Sequence, residues 1–563
     1  MSNPMPRHTR KNVLALAMLY AAVGLFPREA AAEPAGASGA TNHVPGKEPD
    51  FRISSKVALS VPDEAIQQSF RIATDLVAEM RQVAYRHYKY DGWLAVCNGK
   101  TDKRPGYDPR DFRYGPKCAA YLWGDDPRLI SEMGNRIFLD EHEQNGKLRW
   151  EYGHGQTAIH IGQVAKHFSD YLRYSEQDKF IKDNWARQLK IIRWTLSEYD
   201  RNNDGLIEHG RDVPNWLWAY LVGEPENAFI WDHTQSDVVV VASMEVCEWL
   251  QLMADYGAAH QLPETDWLWS KAAQMRTAIE TLAYDGDAGY YYLLERAKEK
   301  KWYHSGRGIQ EESRELDVTP YYAAFVGGND SRGHKVAEYA RKVLMDHGVF
   351  PLPLMYPSYY WICPNYPYHG FVPGGCWEES YYNCVRAFAK YGMYDAVHAA
   401  IKRRSEAHVR DQDCREWFTL EGTGSGADHY GISAAAHVSA IIEGLFGITP
   451  TRFGFDEINI WPAMPLSWAD HPATISVALP DSGFLKYTYL LDNKAKTITL
   501  TIETDKERRG HFRIPVPGST RRSIQWNGKA VLCDMAHRAD RQGDLVYLDG
   551  AFKRGILKIE YEK

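Results

Sequence analysis

The 563-residue chain has no apolar run long enough to cross a bilayer as a helix: the stretch from Val13 to Phe26 is about 14 residues, against the roughly 20 required. No later window comes closer, so membrane insertion of the mature protein is not expected. A dense Lys/Arg stripe is also missing, and with 66 Lys plus Arg against 73 Asp plus Glu the formal charge is a mild −7. Nucleic acid, whose phosphates call for clustered cations, is therefore set aside as the main partner. There is no Cys-x-x-Cys pair and no His-Glu-x-x-His, which removes the common zinc-site signatures. There is no Gly-x-Ser-x-Gly elbow and no dinucleotide fingerprint. No fixed 34- or 40-residue period marks an open helical solenoid.

What is plentiful is apolar and aromatic. At 44% apolar content the chain can bury a real core, and its length asks for more than one domain or one large one. The 18 Trp, 35 Tyr and 19 Phe make up 13% of the residues. They fit either core filler or a cleft of flat rings that stack on sugar faces, and composition does not choose between the two.

The first residues read as an export signal. Basic Arg7, His8, Arg10 and Lys11 precede the apolar run, and Ala30-Ala31-Ala32 follows. Cleavage is expected near Ala32, giving a periplasmic or extracellular protein. Residues 33–60, rich in Ala, Gly, Pro and Ser at their start, read as a flexible leader. Export permits disulfides among the eight cysteines. Cys97 with Cys118, or Cys363 with Cys376, would close short loops, and buried unpaired thiols are the equal alternative.

From 61 to 450 the pattern is helical, with roughly eleven or twelve amphipathic runs between Gly, Pro and aromatic loops. Examples are Asp63 to Tyr85, Ala158 to Tyr174, Asp178 to Tyr199, Ser236 to Tyr256, Thr265 to Ala283, Gly333 to Asp346, Trp377 to Tyr391 and Ser433 to Leu445. Past Gly447 the period becomes two, as in residues 474–479, 486–490 and 497–502, which reads as antiparallel strands. The expected architecture is mainly α: helical hairpins closed into an (α/α)6 toroid, followed over 451–563 by an antiparallel β-sandwich.

Several loops carry acids among aromatic and Gly residues. In Trp231-Asp232-His233-Thr234-Gln235-Ser236-Asp237, the last two residues suit a helix cap, whereas Asp232 lies too early to cap. It follows Phe229-Ile230-Trp231, a setting that raises a carboxyl pKa and suits a general acid. The stretch from Asp413 to Gly426 holds Glu416 and Glu421 beside three glycines that let the backbone turn tightly and approach a ligand. For either acid the plain alternative is a solvated loop. In Gly374-Gly375-Cys376-Trp377-Glu378-Glu379-Ser380-Tyr381, Trp377 and Tyr381 are four apart, as on one helical face, and read as core or as a pocket wall. The turn Asp200-Arg201-Asn202-Asn203-Asp204-Gly205 copies half of a calcium loop but has Arg211 where the bidentate Glu belongs. An interhelical turn is the better reading, with a single calcium near Asp200, Asn202 and Asp204 as the lesser one; no cofactor is required. Two carboxylates from separate loops, amid aromatics, are what glycosidic hydrolysis needs: one protonates the leaving oxygen and the other activates water.

The order of these segments resembles the six-hairpin glycosidases, namely the trehalases, glycoside hydrolase family 63 and the rhamnosidases. The likeness covers most of residues 153 to 447. Gly155-Gln156 ahead of Ala158 is similar to the family's Gly-x-x-Gln-Pro-Pro helix start, and Tyr199-Asp200 through Ile207 to its Asp-rich turn. Trp231-Asp232 falls where the general acid stands, Gly374-Gly375-Cys376-Trp377 resembles the Gly-Pro-Val-Trp segment, and Arg415-Glu416-Trp417-Phe418 lies where the base Glu precedes an aromatic pair. Residues 456–462 onward resemble the terminal sandwich of rhamnosidases. The resemblance implies a glycosidase that inverts anomeric configuration, with Asp232 as acid and Glu416 as base separated by roughly 6.5 to 9.5 Å. Glu421 is the reserve base, and Trp231, Gln156, Trp377 and Tyr381 are the expected sugar contacts. The Gly before the acid and the Arg after it are absent, Glu378 replaces a Pro, and no trehalase signature is intact, so trehalose is not carried over as substrate. Two other readings stay open: a polysaccharide lyase or unsaturated-uronide hydrolase on a similar toroid, using Tyr or His, and a noncatalytic carbohydrate-binding protein.

Overall fold

The computed structural model describes residues 53–88, 114–124, 158–174, 179–208, 240–285, 290–291, 330–345, 376–480, 482–517, 520–537 and 543–562. These all belong to one unit, 51–364 with 369–563. A short strand β1 (Ala58–Ser60) leads into helices α1 (Glu64–Tyr88), α2 (Gly115–Trp123), α3 (Ala158–Tyr174), α4 (Lys179–Asp183), α5 (Trp185–Tyr199), α6 (Val240–His260) and α7 (Thr265–Leu282). A two-residue ribbon, β2 (Tyr284–Asp285) with β3 (Tyr290–Tyr291), and α8 (Asp330–Tyr339) follow. Next come β4 (Cys376–Trp377), α9 (Glu378–Lys390), α10 (Tyr394–Asp411), β5 (Trp417–Phe418), β6 (Gly424–Ser425) and α11 (Gly431–Ser439), which a π-turn extends to Leu445.

Local chemistry explains the boundaries. Asp63 caps α1, its Oδ1 accepting the N–H groups of Ala65 and Ile66 at 3.1 and 3.3 Å. The helical run expected from Asp178 to Tyr199 is interrupted at Asn184, which separates α4 from α5. Helix α6 is buried on nearly every side; its Val, Met, Trp and Leu side chains pack inward, and of its two buried acids Glu248 meets Arg173 at 2.8 Å. The last helix stops where Gly447 takes φ +69°; a Cβ there would sit 2.0 Å from the Trp461 carbonyl oxygen, so only glycine fits. No helix among the described residues is long and apolar enough to cross a membrane.

One buried anion ties helices together beside this exit. Glu443 accepts the hydroxyls of Tyr121 (3.2 Å), Tyr174 (2.5 Å) and Tyr382, which come from α2, α3 and α9. Burial alone would push its carboxyl up, but Lys117, Arg386 and the tyrosine hydroxyls hold it below the ordinary value.

From β7 (Ile448–Pro450) the chain is a sheet: β8 (Glu457–Ile460), β9 (Ala473–Leu479), β10 (Gly483–Asp492), β11 (Thr497–Pro517), β12 (Thr520–Trp526), β13 (Lys529–Ala530), β14 (Asp534–His537) and β15 (Gly543–Glu562). The antiparallel strands expected over 451–563 are present, and among the described residues they hydrogen-bond into one ten-stranded network, because β11 and β15 pair along almost their whole lengths. A register shift between Glu503 and Arg508 divides β11; its first half pairs with β10 and its second, in parallel, with β8. The leader expected over 33–60 also ends differently. Ala58–Ser60 pairs antiparallel with β9, so the sheet reaches back to the start of the helical half.

Candidate functional site

The stretch from Asp411 to Tyr430 folds as a hairpin laid against the start of α9. Strands β4, β5 and β6 form a small sheet with Cys376 opposite Phe418 and Trp377 opposite Trp417. Cross-strand partners share a face, so the two indoles stack with centroids 5.0 Å apart and planes 23° from parallel. Trp377 therefore lies in extended backbone (φ −82°, ψ 160°) just ahead of α9 and not on a helical face with Tyr381. Tyr381 is buried, and its hydroxyl meets His437 Nδ1 at 3.0 Å while His437 Nε2 meets Ser69 Oγ at 2.9 Å. Burial, with Arg404 adding to it, pulls the His437 imidazole down to about 3, so the ring is neutral and acts as a core partner. Tyr381 thus holds a core position, a correction to its expected place as a sugar contact.

Arg404 of α10 holds the underside of the hairpin. Fully buried, it donates to the Cys376 carbonyl at 2.9 Å and to Ser433 Oγ at 2.8 Å, with the Phe418 ring 4.6 Å and the Tyr381 ring 5.2 Å from its guanidinium. One side chain thereby joins β4, β5, α10 and the start of α11. Glu378, buried in the first turn of α9, is one of the charges attracted to it.

Glu416 stands at the open end of the hairpin, half-buried. Its N–H donates to the Ala427 carbonyl at 3.0 Å, and its Oε2 accepts the Ala427 N–H at 2.9 Å. The carboxylate is therefore oriented by backbone. The Gly-rich stretch does turn tightly, with φ +81° at Gly422 and +71° at Gly426. Its close approach is to the hairpin's own side chains: a Cβ on Gly426 would lie 2.1 Å from Trp417 Cζ3 and 2.6 Å from Glu416 Oε2. Glu421 is exposed in the turn closed by Gly422 N–H to Thr419 carbonyl (2.9 Å).

Asp413 closes the base of the hairpin. Its buried carboxylate accepts the N–H groups of Cys414 and His429, each at 2.9 Å, and faces His429 Nδ1 at 2.9 Å and Arg415 Nε at 3.4 Å. Asp413, Asp428 and His429 each place a ligand-type atom within 4.8 Å of the others, a grouping that sequence spacing did not signal. Arg404, Asp413 and Trp417 are the residues the sequence reading missed. Arg404 looks like one more surface charge of an amphipathic helix, and the separation of 16 positions from Asp413 to His429 carries no local signature.

The Asp200 turn is held by its own acids and by α7, whose Lys271 and Gln274 donate to Asn203 at 2.7 and 2.6 Å. Asp200 accepts the Gly205 N–H (3.1 Å), Asp204 accepts the Leu206 N–H (3.0 Å), and Asn202 bonds Asp204 from both its amide atoms. Burial raises the Asp200 carboxyl to about 6, against the pull of the Gly205 N–H. Gln156, Trp231 and Asp232 lie outside the described residues. Cys118 and Cys376 are buried, and Cys97 and Cys363, the partners considered for them, lie outside the described residues.

No protein-family profile matches the chain, and no curated protein matches it. Its fold is shared with solved structures. The GH78 family rhamnosidase of Bacillus sp. GL1 superposes with TM-score 0.57 at 14% identity, over 80% of this chain and 42% of that one. The α-L-rhamnosidase of Dictyoglumus thermophilum gives TM-score 0.56 at 7% identity, over 90% and 51%. A GH63 mannosylglycerate hydrolase of Thermus thermophilus gives TM-score 0.45 at 13% identity, over 64% and 99%. The chain spans about half the length of the two rhamnosidases.

Proposed function

We propose that the chain is an exported glycoside hydrolase whose helices close into an (α/α)6 toroid and whose Asp232 and Glu416 cleave a glycosidic bond with inversion. The observation that carries this reading is Glu416: a half-buried carboxylate, fixed in direction by the Ala427 N–H, beside the stacked pair Trp377 and Trp417. The fold shared with two rhamnosidases supports the same reading. A carboxylate so held can take a proton from a water aimed at the anomeric carbon, while Asp232, in its apolar sequence setting, gives a proton to the departing oxygen. Indole faces suit the C–H face of a pyranose, so Trp417, backed by Trp377, is assigned to sugar stacking. Gln156 and Trp231 are further proposed contacts, and Glu421 stays the reserve base at the hairpin tip.

Proton NMR of the purified protein with a panel of α- and β-linked glycosides tests this directly. The expected result is early appearance of free sugar of inverted configuration, with turnover reduced about 10²- to 10⁴-fold in Asp232→Asn and in Glu416→Gln. A conjugated alkene among the products would replace hydrolysis by elimination. Wild-type rates in Glu416→Gln with loss in Glu421→Gln would move the base to Glu421.

A further inference from the structure

The outer face of the C-terminal sheet carries a second candidate site. Where β1 joins β9 and β10, an open concavity of about 400 Å³ is lined by Lys56, Ser60, Thr474, Ser476, Phe484 and Lys486, among others. That volume falls within the range of small-molecule sites, roughly 300–1,000 Å³.

The register explains how these groups meet. Ala58, Ser476 and Lys486 stand opposite one another across three strands, and Ser60, Thr474 and Thr488 form the next row. Residues between the rows, Ile475 and Tyr487, point to the other face and are fully buried. The concavity is thus an outward surface of mixed character, with the hydroxyls of Ser60, Thr474 and the buried Ser476 set among Ala58, Leu59 and Phe484. Its groups are also fixed. Ser476 Oγ donates to the Lys56 carbonyl, the Lys56 ammonium donates to the Ser482 carbonyl, and Thr474 and Thr488 bond each other at 2.9 Å.

The charge is one-sided. Solvent faces of sheets ordinarily intersperse both signs. Among the described residues the lining has two ammonium groups, that of Lys56 donating to the Ser482 carbonyl and that of Lys486, and no carboxylate. Glu503, the cross-strand neighbour of Lys486, stands at the margin. The half-exposed ring of Phe484 completes the set. Fixed hydroxyls for hydroxyls, a ring for a C–H face and two ammonium groups for an anion match a sugar that carries a carboxylate or a sulfate ester.

We propose that this face binds an anionic saccharide chain, holding an acidic glycan on the sheet. The site shares no residue with the Trp417 hairpin. Its glycan class accords with the proposed hydrolase, but binding here does not depend on turnover there.

Affinity electrophoresis of the full chain in gels containing polygalacturonate, dextran sulfate or neutral dextran tests the proposal. Retardation is expected in one or both anionic gels and not in dextran, and the two anionic arms separate a carboxylate from a sulfate ligand. Lys56→Ala with Lys486→Ala, and separately Phe484→Ala, should weaken retention at least tenfold, whereas Glu416→Gln should leave it unchanged. Equal retention of the wild type and the double lysine variant, or equal retention in dextran, would overturn the proposal. Loss of retention in Glu416→Gln alone would place glycan binding at the hairpin and overturn it equally. A hydrolase that fails the gel test, or a binder that fails the NMR test, tells the two proposals apart.

Discussion

Replacing Gly426 by Ala probes the hairpin with a single methyl group. The residue adopts φ +71°, where an L-residue costs about 1–2 kcal/mol. The new Cβ would also lie 2.1 Å from Trp417 Cζ3 and 2.6 Å from Glu416 Oε2, distances that real Cβ atoms do not show. The indole must move by about 1.5 Å to reach ordinary contact. That motion removes the Trp377–Trp417 stack, worth about 0.5–1.5 kcal/mol. Displacing the carboxylate from the Ala427 N–H loses a charged hydrogen bond of about 1.5–3 kcal/mol. Together these make a destabilisation of about 3–6 kcal/mol, and a misplacement near 1 Å costs on the order of 10²-fold in turnover. Gly528 is the matched control: it has φ +77° and a Cβ there would meet no atom within 4 Å, so Gly528→Ala bears the strain alone. Side-by-side thermal melting, near-ultraviolet circular dichroism and turnover of the glycoside identified by NMR read the difference. Gly426→Ala should melt well below Gly528→Ala and lose dichroism from its tryptophans. Equal melting of the two variants together with wild-type turnover would refute this account of the hairpin.

Asp200 predicts a pH effect of definite sign. Burial raises its carboxyl from 3.8 to about 6, so the folded state holds the proton more tightly than the unfolded chain does. Its contribution to stability is therefore greatest below pH 4 and falls as pH rises from about 4 to 6. Melting of Asp200→Asn relative to wild type should lose that slope, and parallel profiles would contradict the assignment. Thiol labelling of the native protein, mapped by mass spectrometry, should modify Cys533 and spare Cys118, Cys247, Cys376, Cys384 and Cys414, all five of which are buried. Rapid native labelling of Cys376 or Cys414 would show that the underside of the hairpin opens. Chelation with EDTA should leave melting unchanged, because the oxygens of Asp200 and Asp204 already accept N–H groups of their own turn. A fall in melting temperature restored by calcium in the wild type but absent in Asp204→Asn would assign that turn to a cation instead.

Much of the fold was legible where a pattern runs long. Helix α3 occupies Ala158 to Tyr174, the stretch that the spacing of its apolar residues marks as helical. The change of period past Gly447 marks the true switch from helix to sheet, since that glycine alone permits the turn. Short elements were not legible, because two or three residues cannot show a period. The pair Trp377 and Trp417 was hidden for that reason: each lies in a two-residue strand, and the stack exists only in their pairing. The spacing of Trp377 and Tyr381 misled, since an (i, i+4) argument holds only when both residues are helical. Glu416 could be read as a candidate but not as an oriented one, because its orientation comes from Ala427, across the hairpin. Asp413 and Arg404 act by capturing partners far along the chain, which no local window contains.

The strand at Ala58–Ser60 sets an order on how the protein is made. Its hydrogen-bonded partners in β9, and the Ser476 hydroxyl that grips the Lys56 carbonyl, lie some 420 residues later. Synthesis runs from the amino end, so this strand waits while every helix is made before its partner arrives, presenting an unpaired edge to whatever accompanies the nascent chain. The sheet can seal only when the last quarter of the protein is present. A chain cut short before residue 473 therefore leaves Ala58–Ser60 without the strand it pairs with.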